Sequence, residues 1–322
     1  MSESNELNFG LPLEEEVENV AEETVDLDLL NDDGSEEEEQ NIKGLTKEEY
    51  NDPNQIRVTI ADENSPLIVL FGPPACGKTM TLVRLARYLN KNGYKISPIK
   101  TFRPSDDHHY VELCKPENFN KIINSSDAAN STANVSFMLV GVYKDGKCLC
   151  QILESPGEHL FHPKYPTKPF PSYVNKIIHS KNRKLWAVLV EPDWRDDVDR
   201  DNYVLRINQL YRQMDIKDKT IFILNMIDKT DFIRQRGQVN IPQAKIYVNT
   251  QQYKGIFELF RNQNPITKYW KKYLCGFIPF QTGTYTETSK TDRKGNAIKS
   301  FQEGPDYFPQ ILWNEIKKSI TG

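Results

Sequence analysis

The chain has 322 residues, 45 acidic and 41 basic side chains and a formal charge of −4, a length for one large domain or two small ones. Hydrophobic residues make up 38%, enough for one packed core, but no stretch reaches the ~18 apolar residues of a spanning helix. The acidic start from Glu3 onward fits neither a signal nor a transit peptide. Five cysteines without a pair of CxxC motifs argue against a disulfide framework and a structural zinc site, and predict a reducing, cytoplasmic setting.

Residues 1–42 hold 16 acidic residues and no Lys or Arg, so the remainder carries 29 acidic against 41 basic side chains. Like charges this dense repel one another, and Glu36 to Glu39 have no opposite charge nearby; residues 1–60 are expected to form a largely disordered arm. Three roles are open to it: a solubilising tail, a partner-binding segment built on Val25, Leu27, Leu29 and Leu30, or a tail that folds back on the basic body and screens it. The positive surplus of the body suits anionic partners. No recognised nucleic-acid motif accompanies it, so nucleic acid is not the expected one.

Leu67 to Phe71 reads as a buried strand and Met80 to Asn90 as a helix, with Leu82, Val83, Leu85, Ala86 and Leu89 at helical spacing. Between them lies Gly72-Pro-Pro-Ala-Cys-Gly-Lys-Thr79, a GxxxxGK[ST] loop in the strand–loop–helix context that gives the motif its meaning. Gly72 and Gly77 let the backbone converge on phosphate, and the helix N-terminus adds its positive end. The expected phosphate contacts come from Gly72, Pro74, Ala75, Cys76, Gly77, Lys78, Thr79 and Met80. Lys78 would reach the β and γ phosphates, and the Thr79 hydroxyl would ligate Mg²⁺.

Farther along, Val135 to Tyr143 and Cys148 to Leu153 flank Lys144-Asp-Gly-Lys147, a tight-turn signal between two strands. This hairpin runs into Glu154-Ser-Pro-Gly-Glu-His-Leu-Phe161. Strand, helix and strand follow at Leu185–Val190, Asn202–Met214 and Thr220–Leu224, the last ending in Asn225-Met-Ile-Asp228. A further strand, 276–280, ends in Gln281-Thr-Gly283, and Phe308 to Ile320 is an amphipathic helix.

In that order the segments resemble those of the Ras-like and translation-factor-related P-loop GTPases, over roughly residues 64–322. The resemblance implies an α/β, three-layer P-loop fold: a mostly parallel sheet flanked by helices, with one antiparallel hairpin strand. It also implies GTP as ligand and Mg²⁺ as cofactor. Glu154 and Gly157 correspond to the family's DxxG, and Glu158 to its water-orienting glutamine. Thr132, 22 positions before Glu154, corresponds to the Mg²⁺-sensing threonine, with Thr101 as a rival. Asn225 and Asp228 correspond to NKxD, and Thr282 to the backbone contact with guanine O6. The metal set is then Thr79, Thr132 and Glu154, and the catalytic pair Lys78 and Glu158. The Gly-Pro-Pro opening is also common in AAA+ ATPases, but no strand ends in adjacent Asp and Glu, and no helical lid follows the last strand.

Departures from the family pattern bear on catalysis. Glu154 adds a methylene to the family's aspartate. Glu158 can only accept a hydrogen bond where glutamine would also donate, which predicts slow intrinsic hydrolysis that a partner assists, or none. His159 reads as a solvated loop residue. Met226 replaces the NKxD lysine but keeps an unbranched stem to pack on a base, while the two acceptors of Asp228 suit guanine's N1–H and amine. Insertions are expected near 93–131, 158–172 and 283–306. Within them Asp106-Asp-His-His109 reads as a solvated loop rather than a metal site, and Thr284 to Gly304 as a surface excursion. Cys76 in the phosphate loop raises a redox reading if its thiolate were accessible. The whole reads as an acidic arm (1–60) and a GTPase-like domain (61–322). Its expected role is a switch whose loops meet a protein partner, with a hydrolysis-dead binding protein or an AAA+-like ATPase as alternatives.

Overall fold

A computed structural model describes residues 44–124, 137–192, 196–233, 238–291 and 297–321, the side chains of 287–291 and 297–300 excepted. Strand β1 (Leu67–Phe71) is buried along its length, the pattern of a strand covered on both faces. The sheet continues through β2 (Lys95–Pro98), β3 (Met138–Lys144), β4 (Lys147–Glu154), β5 (Lys184–Val190), β6 (Lys219–Leu224) and β7 (Gly276–Pro279) in the spatial order β2-β3-β4-β1-β5-β6-β7. From β4 through β7 every pairing is parallel. β3 alone in this sheet runs against its neighbours. It turns into β4 through Asp145-Gly146, both at positive φ (49° and 77°), as an Asp-Gly hairpin requires. The edge strand β2 has a weak sequence signal, because its four residues, Lys-Ile-Ser-Pro, carry one buried side chain.

Helices cover both faces. Residues 44–60, expected to belong to the arm, instead pack on the domain. The short α1 (Lys47–Asn51) opens with a reciprocal cap between Thr46 and Glu49, and Leu45, Ile56 and Val58 are buried. Residues 1–43 lie outside the described residues. α2 (Lys78–Lys91) follows β1 directly. The insertion after β2 is structured rather than a loop: α3 (His108–Leu113) and α4 (Pro116–Asn124) bury Tyr110, Leu113, Phe119, Ile122 and Ile123. α5 (Gly157–Leu160) is a single turn, followed by α6 (Ser172–Ile178), α7 (Asp197–Tyr211), α8 (Ile241–Tyr247) and α9 (Tyr307–Thr321). α7 begins five residues before its apolar pattern does. The reason is polar: the Asp196 carboxylate accepts from the Asp199 N–H at 2.8 Å, and Asp197 and Asp199 sit in the positive first turn.

Leu82 and Leu85 of α2 and Leu312 and Ile316 of α9 meet Ile68, Leu70, Ala187 and Ile223 on one sheet face. On the other, Tyr203 of α7 stacks on Phe71, with Phe170 and Trp186 edge-on to the same ring. Each such fully buried side chain is worth about 1.5–3 kcal/mol over an exposed one. The polar stretch after β7, expected as an excursion, is a second sheet made of β8 (Gly283–Thr291) and β9 (Ala297–Glu303). Its alternating Thr and Tyr suit a half-covered strand. Arg84 and Arg87 of α2 hold its end by ion pairs to Glu303 at 3.3 and 3.2 Å. The fold is a three-layer α/β P-loop fold with a mostly parallel sheet. Among the described residues no helix is long and apolar enough to cross a membrane.

Candidate functional site

The loop Gly72–Gly77 leaves the C-terminal end of β1 and enters α2 at Lys78. Ala75 and Gly77 have φ of 62° and 85°, so the backbone reverses twice within three residues. At Gly77 a Cβ would lie 2.2 Å from the Asn225 amide nitrogen, so no larger residue fits without displacing Asn225. That amide donates to the Cys76 carbonyl at 3.0 Å. Asn225 therefore braces the phosphate loop from the end of β6, as its strand-end position predicts. Pro74, counted among the phosphate contacts, has no N–H to offer, nor has Pro73; its part is steric, and the loop's backbone donors are Gly72 and then Ala75 onward.

Lys78 is 6% exposed and folds back into the loop, its ammonium donating to the carbonyls of Gly72 and Pro73 at 3.2 and 2.9 Å. A cation held by neutral carbonyls at the mouth of a helix N-terminus is poised for anionic oxygen, a stronger acceptor. The Cys76 thiol is fully buried and its pKa is pushed up to about 11 by that burial. It is therefore a packed thiol and not an accessible thiolate, which removes the redox reading. Met80 turns away from the loop and packs on Phe301 of β9.

Because β4 neighbours β1, the residue closing β4 faces the residue opening α2. The Thr79 hydroxyl donates to the Glu154 carboxylate, joining two of the three expected metal ligands. Glu154 is 2% exposed, burial raises its pKa to about 8, and its Oε2 is buried with no hydrogen-bond partner among the described residues. An orphaned carboxylate oxygen beside a hydroxyl and a phosphate loop fits a small hard cation that keeps waters and phosphate oxygens as its remaining ligands. Thr132 lies outside the described residues. Thr101, its rival, is exposed on the turn after β2, two strands away from Glu154.

Gly157 lies directly against the loop: a Cβ there would meet the Pro74 nitrogen at 2.3 Å and the Pro73 carbonyl carbon at 2.4 Å. The DxxG-like glycine is thus required by contact with the phosphate loop itself. The next residue, Glu158, is exposed and its charge raises the pKa of Tyr50, behind the larger effect of burial. His159, expected to be solvated, is 6% exposed. Its Nε2 is 3.2 Å from the Tyr50 carbonyl and its Nδ1 is 3.1 Å from the Tyr173 hydroxyl. A carbonyl only accepts, so Nε2 carries the proton and Nδ1 accepts from Tyr173. Burial lowers its pKa and keeps the ring neutral. His159 holds the segment in place and takes no catalytic position.

The proline-rich stretch 161–171 is pinned as well. Arg206 of α7 donates to the carbonyls of Leu160 (2.6 Å) and Lys168, and its guanidinium lies 3.6 Å over the Phe170 ring. The Asp106-Asp-His-His109 run holds no metal-type cluster. Asp107 caps α3 through the Tyr110 N–H at 2.9 Å and pairs with Arg103 at 2.7 Å. Among the described residues no group of three His, Cys, Asp or Glu side chains is placed to hold a metal.

At the far end of the site, the Ile227 N–H donates to the Phe280 carbonyl at 3.2 Å. The loops carrying Asp228 and Thr282 therefore lie side by side. Met226 takes a positive φ of 52°, which sets the turn that leaves Asp228 exposed. Gly283, in place of the family's lysine, has a steric cause: a Cβ would fall 2.2 Å from the Gln302 carbonyl of β9. Sequence reading missed two residues here. Tyr285 of β8 has its hydroxyl 3.4 Å from that of Thr282, and Asp228 contributes to raising its pKa. Glu191, just past β5, has its pKa raised by burial to about 7, with Lys229 and Lys78 acting against that shift; its Oε1 is buried without a hydrogen-bond partner. Neither belongs to a motif; a strand-end position was the only signal for Glu191.

No family model matches the chain, and no curated protein does. Among solved structures it is similar to the GTPase-like domain of Ski7 from S. cerevisiae bound to GTP, at 13% identity and a TM-score of 0.38, covering 86% of this chain and 53% of that one. It is also similar to a GTPase in apo form from Pyrococcus abyssi (12%, TM-score 0.34, 80% and 97% covered) and to GDP-bound aIF5B from Aeropyrum pernix (12%, TM-score 0.32, 70% and 33% covered). The chain spans about half the length of the Ski7 chain it matches. The strand order and the loop at Gly72–Thr79 define the class on their own: an α/β domain of the P-loop type.

Proposed function

We propose that this domain binds GTP with Mg²⁺ and hydrolyses it slowly, serving as a switch that a protein partner reads at the segments around Glu158 and 161–171. The contact between Thr79 and the buried Glu154 carboxylate, with one oxygen left over, carries this reading. Thr79 and Glu154 would hold the Mg²⁺, which when bound supplies positive charge to the β and γ phosphates. Lys78 moves from loop carbonyls to phosphate, and the helix N-terminus orients the chain of phosphates. Asp228 selects guanine by accepting from N1–H and the exocyclic amine, with Thr282 and Tyr285 forming the wall beside it. The hydrolysis-dead alternative is favoured by one observation: Glu158 is exposed beside Tyr50 while His159 is locked, so neither of these two orients an attacking water.

Titration of the full chain with labelled GTP and ATP, with and without Mg²⁺, tests the binding half. Saturation by GTP that Mg²⁺ strengthens is expected, and saturation by neither nucleotide refutes the site. Single-turnover hydrolysis by wild type and Glu158→Gln tests the catalytic half. A faster variant supports slow catalysis limited at position 158, and equal, undetectable turnover in both selects the binding protein.

A further inference from the structure

The end of the sheet opposite the phosphate loop carries a surface that nucleotide binding leaves unused. A groove of about 820 Å³ opens beneath the first residues of β6 and β7, between the ends of α7 and α9. Trp270, Lys271, Lys272, Tyr273 and Leu274 form its outer wall; they end the segment 261–274, which holds Arg261, Lys268, Lys271 and Lys272 and no acidic residue. The same segment exposes Ile266, Tyr269, Trp270 and Leu274 at 66, 79, 81 and 54%, and Ile216 stands fully exposed on the facing wall. Exposed apolar groups clustered this tightly among lysines mark a surface that binds something.

The charges facing the groove do not cancel. Lys219, Lys245, Lys271, Lys272 and Lys318 line it, against Asp215, Asp218 and Glu315. Asp218 is already paired with the buried Lys184 at 3.5 Å, and Glu315 with Lys318 at 3.5 Å. Lys219 is held below its ordinary pKa by burial and then by Arg183, Lys271 and Lys318, the mark of a local positive field with too few anions.

We propose that the acidic N-terminal arm of this same chain, centred on residues 22–33, docks in this groove. The arm matches it in both respects: Asp26, Asp28, Asp32 and Asp33 complement the lysines, and Val25, Leu27, Leu29 and Leu30 complement Trp270, Leu274 and Ile216. Reach permits it for the outer part of the arm. Gly44, where the described chain begins, lies against the Phe137 carbonyl at the start of β3, at the phosphate-loop end and four strands across the sheet from β6, about 20 Å away sideways; an extended segment back to Leu30 spans about 45–50 Å. Tethering supplies an effective concentration of about millimolar, which an untethered acidic peptide must match. The body's positive surplus and the arm's negative one thus meet at a defined place.

Carbodiimide cross-linking of the full chain, mapped by mass spectrometry on a mixture of isotopically light and heavy protein, tests this. Links within one chain, from carboxylates of residues 22–33 to Lys271, Lys272, Lys219 or Lys318, are expected. They should fall about tenfold in about 0.5 M salt, where charges are screened beyond a few ångströms. They should fall similarly in Leu27→Ser/Leu29→Ser/Leu30→Ser, which keeps every charge. Links scattered over the exposed lysines, light–heavy links between copies, or an unchanged pattern in the triple variant would each overturn the proposal. So would a single-stranded uridine 20-mer that binds the full chain as tightly with the arm acids intact as with them changed to Asn and Gln, because the groove would then be open to nucleic acid.

Discussion

The two halves of the proposed nucleotide site, one for phosphate and one for the base, differ in how they are built. The phosphate half is assembled from backbone: two positive-φ residues, a helix N-terminus, and two glycines whose hydrogens touch neighbouring backbone or side chains within 2.2–2.3 Å of a would-be Cβ. Its charged members, Lys78 and Glu154, are buried and held by loop carbonyls and by Thr79. The base half is made of side chains on exposed turns, with Asp228 open to water and Tyr285 at the rim. Rigid, desolvated groups bind strongly whatever the base, and exposed groups can discriminate only after a ligand has excluded water from them. Affinity should therefore reside in the first half and selectivity in the second.

The sharpest way to break that division is Lys78→Ala. It removes the ammonium proposed to form charged hydrogen bonds to phosphate, and triphosphate affinity should fall about 100-fold for GTP and ATP alike. Circular dichroism should show the fold intact; equilibrium titration with both nucleotides is the readout. Asp228→Asn should cost about 10–100-fold in GTP affinity while leaving ATP unchanged, so the ratio of the two constants moves where Lys78→Ala leaves it fixed. A loss that is equal for both nucleotides would place Asp228 outside the base pocket.

The smallest effect concerns stability. Glu191 has its pKa raised from 4.5 to about 7, so the native state binds its proton more tightly than the unfolded chain. That contribution is complete below about pH 4.5 and is lost as pH rises through about 7, at most about 3 kcal/mol. Thermal unfolding without nucleotide should show Tm falling over this window, and Glu191→Gln should flatten the fall. Glu154, whose pKa is raised to about 8 by burial, retains its own share of the slope, so the variant's profile should not become level.

The segment after Gly157 is pinned to the rest of the domain. Arg206 and His159 tie it to α7 and to Tyr50, and Tyr50 belongs to the stretch 44–60 that charge density had assigned to the arm. The acid count was dominated by residues before 43, and a window that long averages away Leu45, Ile56 and Val58, the three side chains that dock the stretch. His159 was misjudged for a related reason: its neighbours Tyr50 and Tyr173 are distant in sequence, so nothing local signals its burial.

What the sequence determined by itself is the part that depends on short-range chemistry. The strand, the glycine-bounded loop and the helix from Leu67 onward are contiguous, and the Asp-Gly turn fixes its own hairpin. Tertiary structure decided whatever depends on which strands become neighbours. Placing β4 beside β1 brings Glu154 to Thr79, and placing β6 and β7 together brings Asp228 to Thr282. Folding β9 across Gly283 leaves no room for a lysine there. Sequence spacing states which groups exist, but a hydrogen bond forms only within about 3 Å, and contacts at that range across 75 residues are set by packing of the whole sheet.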